Sequence, residues 1–195
     1  MLLTLLRIVL IPVLVVFFYL PYHWTNLAVA IVFVLAAVTD WLDGYLARRM
    51  NLLSHFGAFL DPVADKLMVA TALVLLVQQN PKAVFALASA IIVGREIVIS
   101  ALREWMAGLG QRSAVKVSNV GKLKTIFQMT AISFLLYGED IGQIPIFFIG
   151  EILLYLAAGL TLWSMWVYLH SAWPTILSSD QTPGPQPPNP GERKP

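Results

Sequence analysis

Four aspartates, Asp40, Asp43, Asp61 and Asp65, fall in two pairs with internal spacings of three and four residues. Those spacings belong to one face of a helix, where each residue turns by about 100°. Gly44 and Ala47 share the stripe of the first pair, and Gly57 precedes the second pair by one helical turn. A short link, centred on Met50 and Asn51, separates the groups, so two antiparallel helices would present their acids to each other. Four carboxylates at close range cannot all stay ionised without a counter-charge. Oxygen ligands in the absence of any cysteine favour one or two Mg²⁺ or Mn²⁺ ions over zinc. Paired ions on carboxylates suit phosphoryl transfer, where they polarise phosphate oxygens and steady the attacking and leaving oxygens. Small residues beside the acids leave room for a ligand to reach the backbone, and Arg48 is placed to meet phosphate charge.

Plainer readings compete with this one. Asp61 followed by Pro62 is, taken alone, the signature of a helix N-cap with proline at the first helical position. Acids at helix ends are usually solvated. Four of them on two small-residue stripes, at the end of apolar helices, are costly unless they work, because ionisable groups at membrane depth mark function by default.

The elements that must carry these residues are apolar. Of 195 residues, 58% are hydrophobic and 12% charged, about half the charged share of a soluble domain. So short a chain cannot hide that much apolar surface in one aqueous core. Six membrane-spanning helices are expected, at about Leu2–Leu20, Asn26–Arg49, Ser54 (or Asp61)–Gln78, Lys82–Trp105, Lys122–Tyr137 and Ile144–Trp173. The run after Arg7 lacks a small-residue cleavage site and reads as a retained span, not a signal peptide. Residues 1–177 thus form one transmembrane catalytic domain. Residues 178–195, rich in Pro, Gly, Ser and Gln, read as a disordered tail. Cysteine is absent, which excludes disulfides and thiolate chemistry. A net charge of +2 gives no case for nucleic acid.

With six spans, Arg7, Arg48, Arg49, Arg103, Arg112, Lys116, Lys122 and Lys124 lie on the side of both termini, whereas the opposite loops hold Lys82 beside Glu139 and Asp140. The positive-inside rule puts both termini and the aspartates on the cytoplasmic side.

The pattern Asp-x-x-Asp-Gly-x-x-Ala-Arg, then Gly-x-x-x-Asp-x-x-x-Asp eight residues later, is complete from Asp40 to Asp65. It resembles the signature of the CDP-alcohol phosphatidyltransferase family. Longer stretches, such as Arg95 to Trp105 and Gly57 to Lys66, are similar to its bacterial phosphatidylglycerophosphate synthase branch, and the resemblance covers most of Leu2 to His170. It implies an all-α bundle of six transmembrane helices in the bacterial inner membrane, usually a homodimer. It also implies a Mg²⁺- or Mn²⁺-dependent transfer from CDP-diacylglycerol to an alcohol. Carried over by position, Asp40, Asp43, Asp61 and Asp65 would hold the metals. Asp65 would double as catalytic base, and Gly44, Ala47, Arg48 and Gly57 would line the nucleotide site.

The acceptor is less constrained. Arg95 lies in an apolar span, where it either pairs with Glu96 to fix packing or serves a ligand. Lys116, Lys122 and Lys124 could each simply bind anionic lipid. Together with Arg7 and Arg103 they describe a cationic pocket suited to a phosphorylated acceptor, which favours glycerol 3-phosphate. Inositol phosphate, serine or phosphatidylglycerol remain open within the family. A cation transporter is the alternative outside it, although a transporter would place its acids near the bilayer midplane.

Overall fold

Each apolar segment becomes one helix: α1 Leu2–Tyr19, α2 Thr25–Met50, α3 His55–Gln79, α4 Ala83–Gly108, α5 Asn119–Tyr137 and α6 Ile146–Ser179. This computed structural model describes the backbone of residues 2–50, 55–108 and 119–179; the side chains of 2–3, 40–59, 107, 119–122 and most of those beyond 170 lie outside the description, as does the whole tail from 180. Helices are the expected answer to this composition, because a backbone in hydrocarbon must satisfy its own N–H and C=O groups. Among the described residues there is no strand, only an isolated bridge between Ile141 and Ile144. That bridge closes a tight turn in which Gly142 takes φ of 64°. Gly138, at φ 69°, ends α5 by returning its N–H to the Phe134 carbonyl at 3.0 Å, a left-handed cap that disfavours a side chain.

One boundary is physically informative. α3 begins at His55, so Pro62 stands inside the helix and does not open it. Asp61 is therefore not an N-cap. Pro62 has no N–H to offer the Ala58 carbonyl, and that group must find another partner.

α1–α2, α3–α4 and α5–α6 are joined at one end of the bundle, called here the hairpin end; the aspartates lie toward the other. α5 and α6 pack most extensively, with Gly150 against Phe134 and Leu135, while α1 sits on α2 and α3, and α4 on α6 and α3. The shared core holds Leu14, Phe33, Leu73, Phe85, Ile132 and Leu154, all essentially without solvent contact. The outer faces are equally apolar: Val74, Leu87, Ile97, Ile126 and Phe148 are exposed. The stretches Ala83–Met106 and Ile146–His170 are long and apolar enough to cross a membrane, yet only 28% and 33% of an 18-residue apolar window in each is buried. A core helix of a soluble protein would be mostly covered, so these faces meet lipid.

Polar contacts stitch the hairpin end. Tyr19 donates to Gln78 at 2.5 Å, and Lys82 on the α3–α4 link reaches both oxygens of the buried Glu151 on α6 at 3.0 and 3.2 Å. Tyr155 adds a third bond to Glu151 at 2.8 Å. Tyr22 and Trp24 stack at the α1–α2 turn, and Trp163, Trp166 and Trp173 are exposed on the second half of α6.

Candidate active site

At about 1.5 Å of rise per residue, Asp40, Asp43, Asp61 and Asp65 lie about 21–27 Å along their helices from the hairpin end. Thr4, Arg7, Arg95, Glu96 and Lys124, on three further helices, fall at about 18–23 Å by the same measure. Charged positions of five helices thus gather in one layer, well inside the length of the spans.

Asp61 and Asp65 are partly buried on successive turns of α3. The hydroxyl of Thr4, itself fully buried on α1, donates to Asp61 Oδ1 at 2.5 Å. Such a contact holds a carboxylate in one orientation, as outer partners of metal ligands do. Asp40, Asp43, Gly44, Ala47 and Arg48 are helical positions of α2, and Gly57 of α3, with side chains outside the description. Among the described residues no three acids or histidines converge; the α2 aspartates would have to complete the set. What is present, carboxylate oxygen steadied by hydroxyl with no thiol in the chain, is a donor set for a hard divalent cation.

Beside Asp65 opens a cavity of about 250 Å³ between α3, α4 and α5. Asp65 and Lys66 contribute from α3, Arg95, Glu96 and Arg103 from α4, and Thr125 and Gln128 from α5. Glu96 organises its cations: Oε1 accepts from Arg95 Nη1 at 3.0 Å and from Lys124 Nζ at 2.6 Å. Lys66 donates to the Ser100 hydroxyl, which passes a bond to the Glu96 carbonyl at 2.7 Å. Arg103 gives Nε and Nη2 to the Tyr168 hydroxyl at 3.1 and 2.9 Å, with its guanidinium carbon 5.5 Å from the ring centre. Arg95 keeps one buried donor, Nε, without an acceptor among the described residues. Three cations, Lys66, Arg95 and Arg103, therefore line the cavity with two acids, Asp65 and Glu96, and Glu96 is also bonded by Lys124. The excess is positive in a partly desolvated site, which favours an anionic ligand.

Of the basic residues expected around an acceptor, Arg95 and Arg103 line this cavity, and Lys124 is tied to it through Glu96. Arg7 is buried on α1, one turn from Thr4, and is not part of the cavity wall. Lys122 belongs to the first turn of α5 with its side chain outside the description, and Lys116 lies outside the described residues altogether. The Arg95–Glu96 pair that the packing alternative requires is present; it borders the cavity and shares its carboxylate with Lys124. Thr4, Lys66, Ser100, Gln128 and Tyr168 were not singled out from sequence as site residues. Each is a common residue whose role depends on a helix far away in the chain.

The model of the CDP-alcohol phosphatidyltransferase family matches residues 1–163. A Yersinia pestis (strain Pestoides F) protein named CDP-diacylglycerol–glycerol-3-phosphate 3-phosphatidyltransferase is 53% identical over 175 residues, covering 90% of this chain and 94% of its own. Proteins of the same name from Salmonella choleraesuis (strain SC-B67) and Pseudomonas fluorescens are each 53% identical over 176 residues. Both alignments cover 90% of this chain, with 95% and 90% of the respective relatives.

Proposed function

This chain belongs to the CDP-alcohol phosphatidyltransferase family, and on that premise we propose how its site works. It transfers the phosphatidyl group of CDP-diacylglycerol to glycerol 3-phosphate, giving phosphatidylglycerophosphate and CMP, and so serves phospholipid biosynthesis in a bacterial membrane. The observation that carries the acceptor is the cavity beside Asp65, where Arg95, Arg103 and Lys66 offer a surplus of positive charge to a small dianion.

Asp40, Asp43, Asp61 and Asp65 would hold the divalent cation or pair of cations, Mg²⁺ or Mn²⁺, that polarises the pyrophosphate of the donor when bound. Gly44, Ala47, Arg48 and Gly57 line the cytidine diphosphate site at the same end of α2 and α3. The acceptor's phosphate sits among Arg95 and Arg103, with Lys124 held in place through Glu96; Arg7, Lys116 and Lys122 add to the field. Asp65, in the cavity wall, takes the proton of the primary hydroxyl. The oxygen then forms a bond to the lipid-side phosphorus as the bond to CMP breaks. One in-line displacement suffices, since the chain has no cysteine and, among the described residues, no serine lines the cavity. The depth of the charged layer suits this, because the reacting phosphorus belongs to a lipid headgroup. Both termini and the site face the cytoplasm, and the active form is a homodimer.

The test is CMP release by purified protein given CDP-diacylglycerol with glycerol 3-phosphate, inositol phosphate, serine or phosphatidylglycerol. Release with glycerol 3-phosphate alone is expected. Equal or faster release with another acceptor would overturn the assignment.

A further inference from the structure

Gln128 is an unexplained polar group in the heart of α5. It is 4% exposed, and it lines the cavity with Arg95 and Asp65. Its cavity neighbours Val69 and Met129 are apolar, and the next turn of α5 is fully buried at Ala131 and Ile132. A carboxamide set among apolar side chains is costly to desolvate unless something bonds it, and a leucine would fill this place without that penalty. The chain keeps a glutamine aimed at a ligand space.

Gln128 lies one turn, about 6 Å, beyond Lys124 toward the hairpin end. Arg95 and Lys124 stand about 18–20 Å from the hairpin end and Gln128 about 14 Å, so the amide lies about one turn beyond these two cations. A carboxamide is neutral, with two donors and one acceptor oxygen. It cannot offset phosphate charge, but it can give to and receive from an alcohol. Glycerol 3-phosphate has one group that neither carries charge nor attacks phosphorus: the secondary hydroxyl.

We propose that Gln128 is a specificity-determining residue that hydrogen-bonds the secondary hydroxyl of the acceptor, so the enzyme recognises a polyol phosphate and not merely a phosphorylated alcohol. This rests on the acceptor reading above. A site built to bond a hydroxyl rejects the analogue lacking it, because its own polar group is then stranded.

The experiment compares glycerol 3-phosphate with 3-hydroxypropyl phosphate, which keeps the primary hydroxyl and the phosphate and lacks only the secondary hydroxyl. The unaltered enzyme should prefer glycerol 3-phosphate by about 10- to 100-fold in kcat/KM. Gln128→Met, close in shape and apolar, should bring that preference to within about threefold, with the KM for CDP-diacylglycerol unchanged. A merely structural glutamine would lower thermal stability and leave the preference intact. Should Gln128→Met fail to fold, Gln128→Asn retains the amide but withdraws it by a methylene, and it should lose part of the preference. Full preference in the folded variant, or none in the unaltered enzyme, overturns the proposal. Absence of any turnover with glycerol 3-phosphate would instead defeat the acceptor assignment itself.

Discussion

Thr4 and Asp61, separated by 57 positions in the chain, meet in a 2.5 Å hydrogen bond that ties α1 to the acid-bearing turn of α3. Thr4 is fully buried, so its hydroxyl has no water to turn to. If Asp61 is a metal ligand, losing this partner frees its carboxylate to rotate. Thr4→Val, which keeps the shape, should raise the Mg²⁺ concentration for half-maximal CMP release by about 10- to 100-fold. Excess metal should recover the rate. An unchanged metal titration would show that the bond serves packing alone.

Removal of divalent cations should abolish activity. Four adjacent carboxylates repel each other and the pyrophosphate unless neutralised. Chelator-treated protein should release no CMP, and Mg²⁺ or Mn²⁺ should restore it, whereas Zn²⁺ should be a poor substitute for an all-oxygen site. Full turnover after exhaustive chelation would remove the metals from the mechanism.

Arg95→Lys should raise the KM for glycerol 3-phosphate far more than that for CDP-diacylglycerol. Lysine keeps the charge but loses the planar fork that can bond Glu96 and phosphate together. The lost contact should cost about 2–4 kcal/mol, tens to hundreds of times in acceptor affinity. Glu96→Gln should move in the same direction, since Arg95 and Lys124 would no longer share a carboxylate. Lower melting temperature with both KM values intact would make the pair a packing element only.

Gly150→Ala tests the scaffold separately from the chemistry. A Cβ there would lie 3.0 Å from Leu135 Cγ and 3.1 Å from Phe134 Cβ, with backbone nitrogen of Leu135 at 3.2 Å. Overpacking of this kind costs about 1–3 kcal/mol. The variant should melt earlier in detergent with KM values near those of the unaltered protein. A stability equal to or above the original would show that α5 and α6 can separate without cost.

The six helices were legible because runs of apolar residues are a local pattern; the acids at three- and four-residue spacing are local too, with the side chains of Asp40 and Asp43 outside the description. Pro62 shows the limit of local reading. Asp-Pro is a sound start signal by itself, but α3 has two helical turns before it, and packing of the whole helix overrides the dipeptide. The cavity was only half legible. Arg95 stood out as a charge in an apolar run, while Gln128 is a single neutral residue among apolar ones. Its meaning depends on Asp65 and Arg95 arriving from α3 and α4. The Lys82–Glu151 bond spans 69 positions and joins a loop to a buried acid, so neither residue alone announces it.

The aromatic residues have a consequence for where the chemistry takes place. Tyr19, Tyr22 and Trp24 are exposed near the hairpin end, and Trp163, Trp166 and Trp173 are exposed along the far half of α6. Such rings settle at the boundary between acyl chains and headgroups. On α6 the first of these tryptophans stands about 26 Å from the helix start, close to the thickness of a bilayer's hydrocarbon layer. By the same measure Asp65 lies about 21 Å from the hairpin end, so a bundle held at these aromatic positions would keep its cavity just inside the boundary that the far tryptophans mark. Lipids with longer or shorter chains would tilt the bundle or deform around it. The reach between a fixed site and its lipid substrate would then change with membrane composition, and catalytic rate would report bilayer thickness.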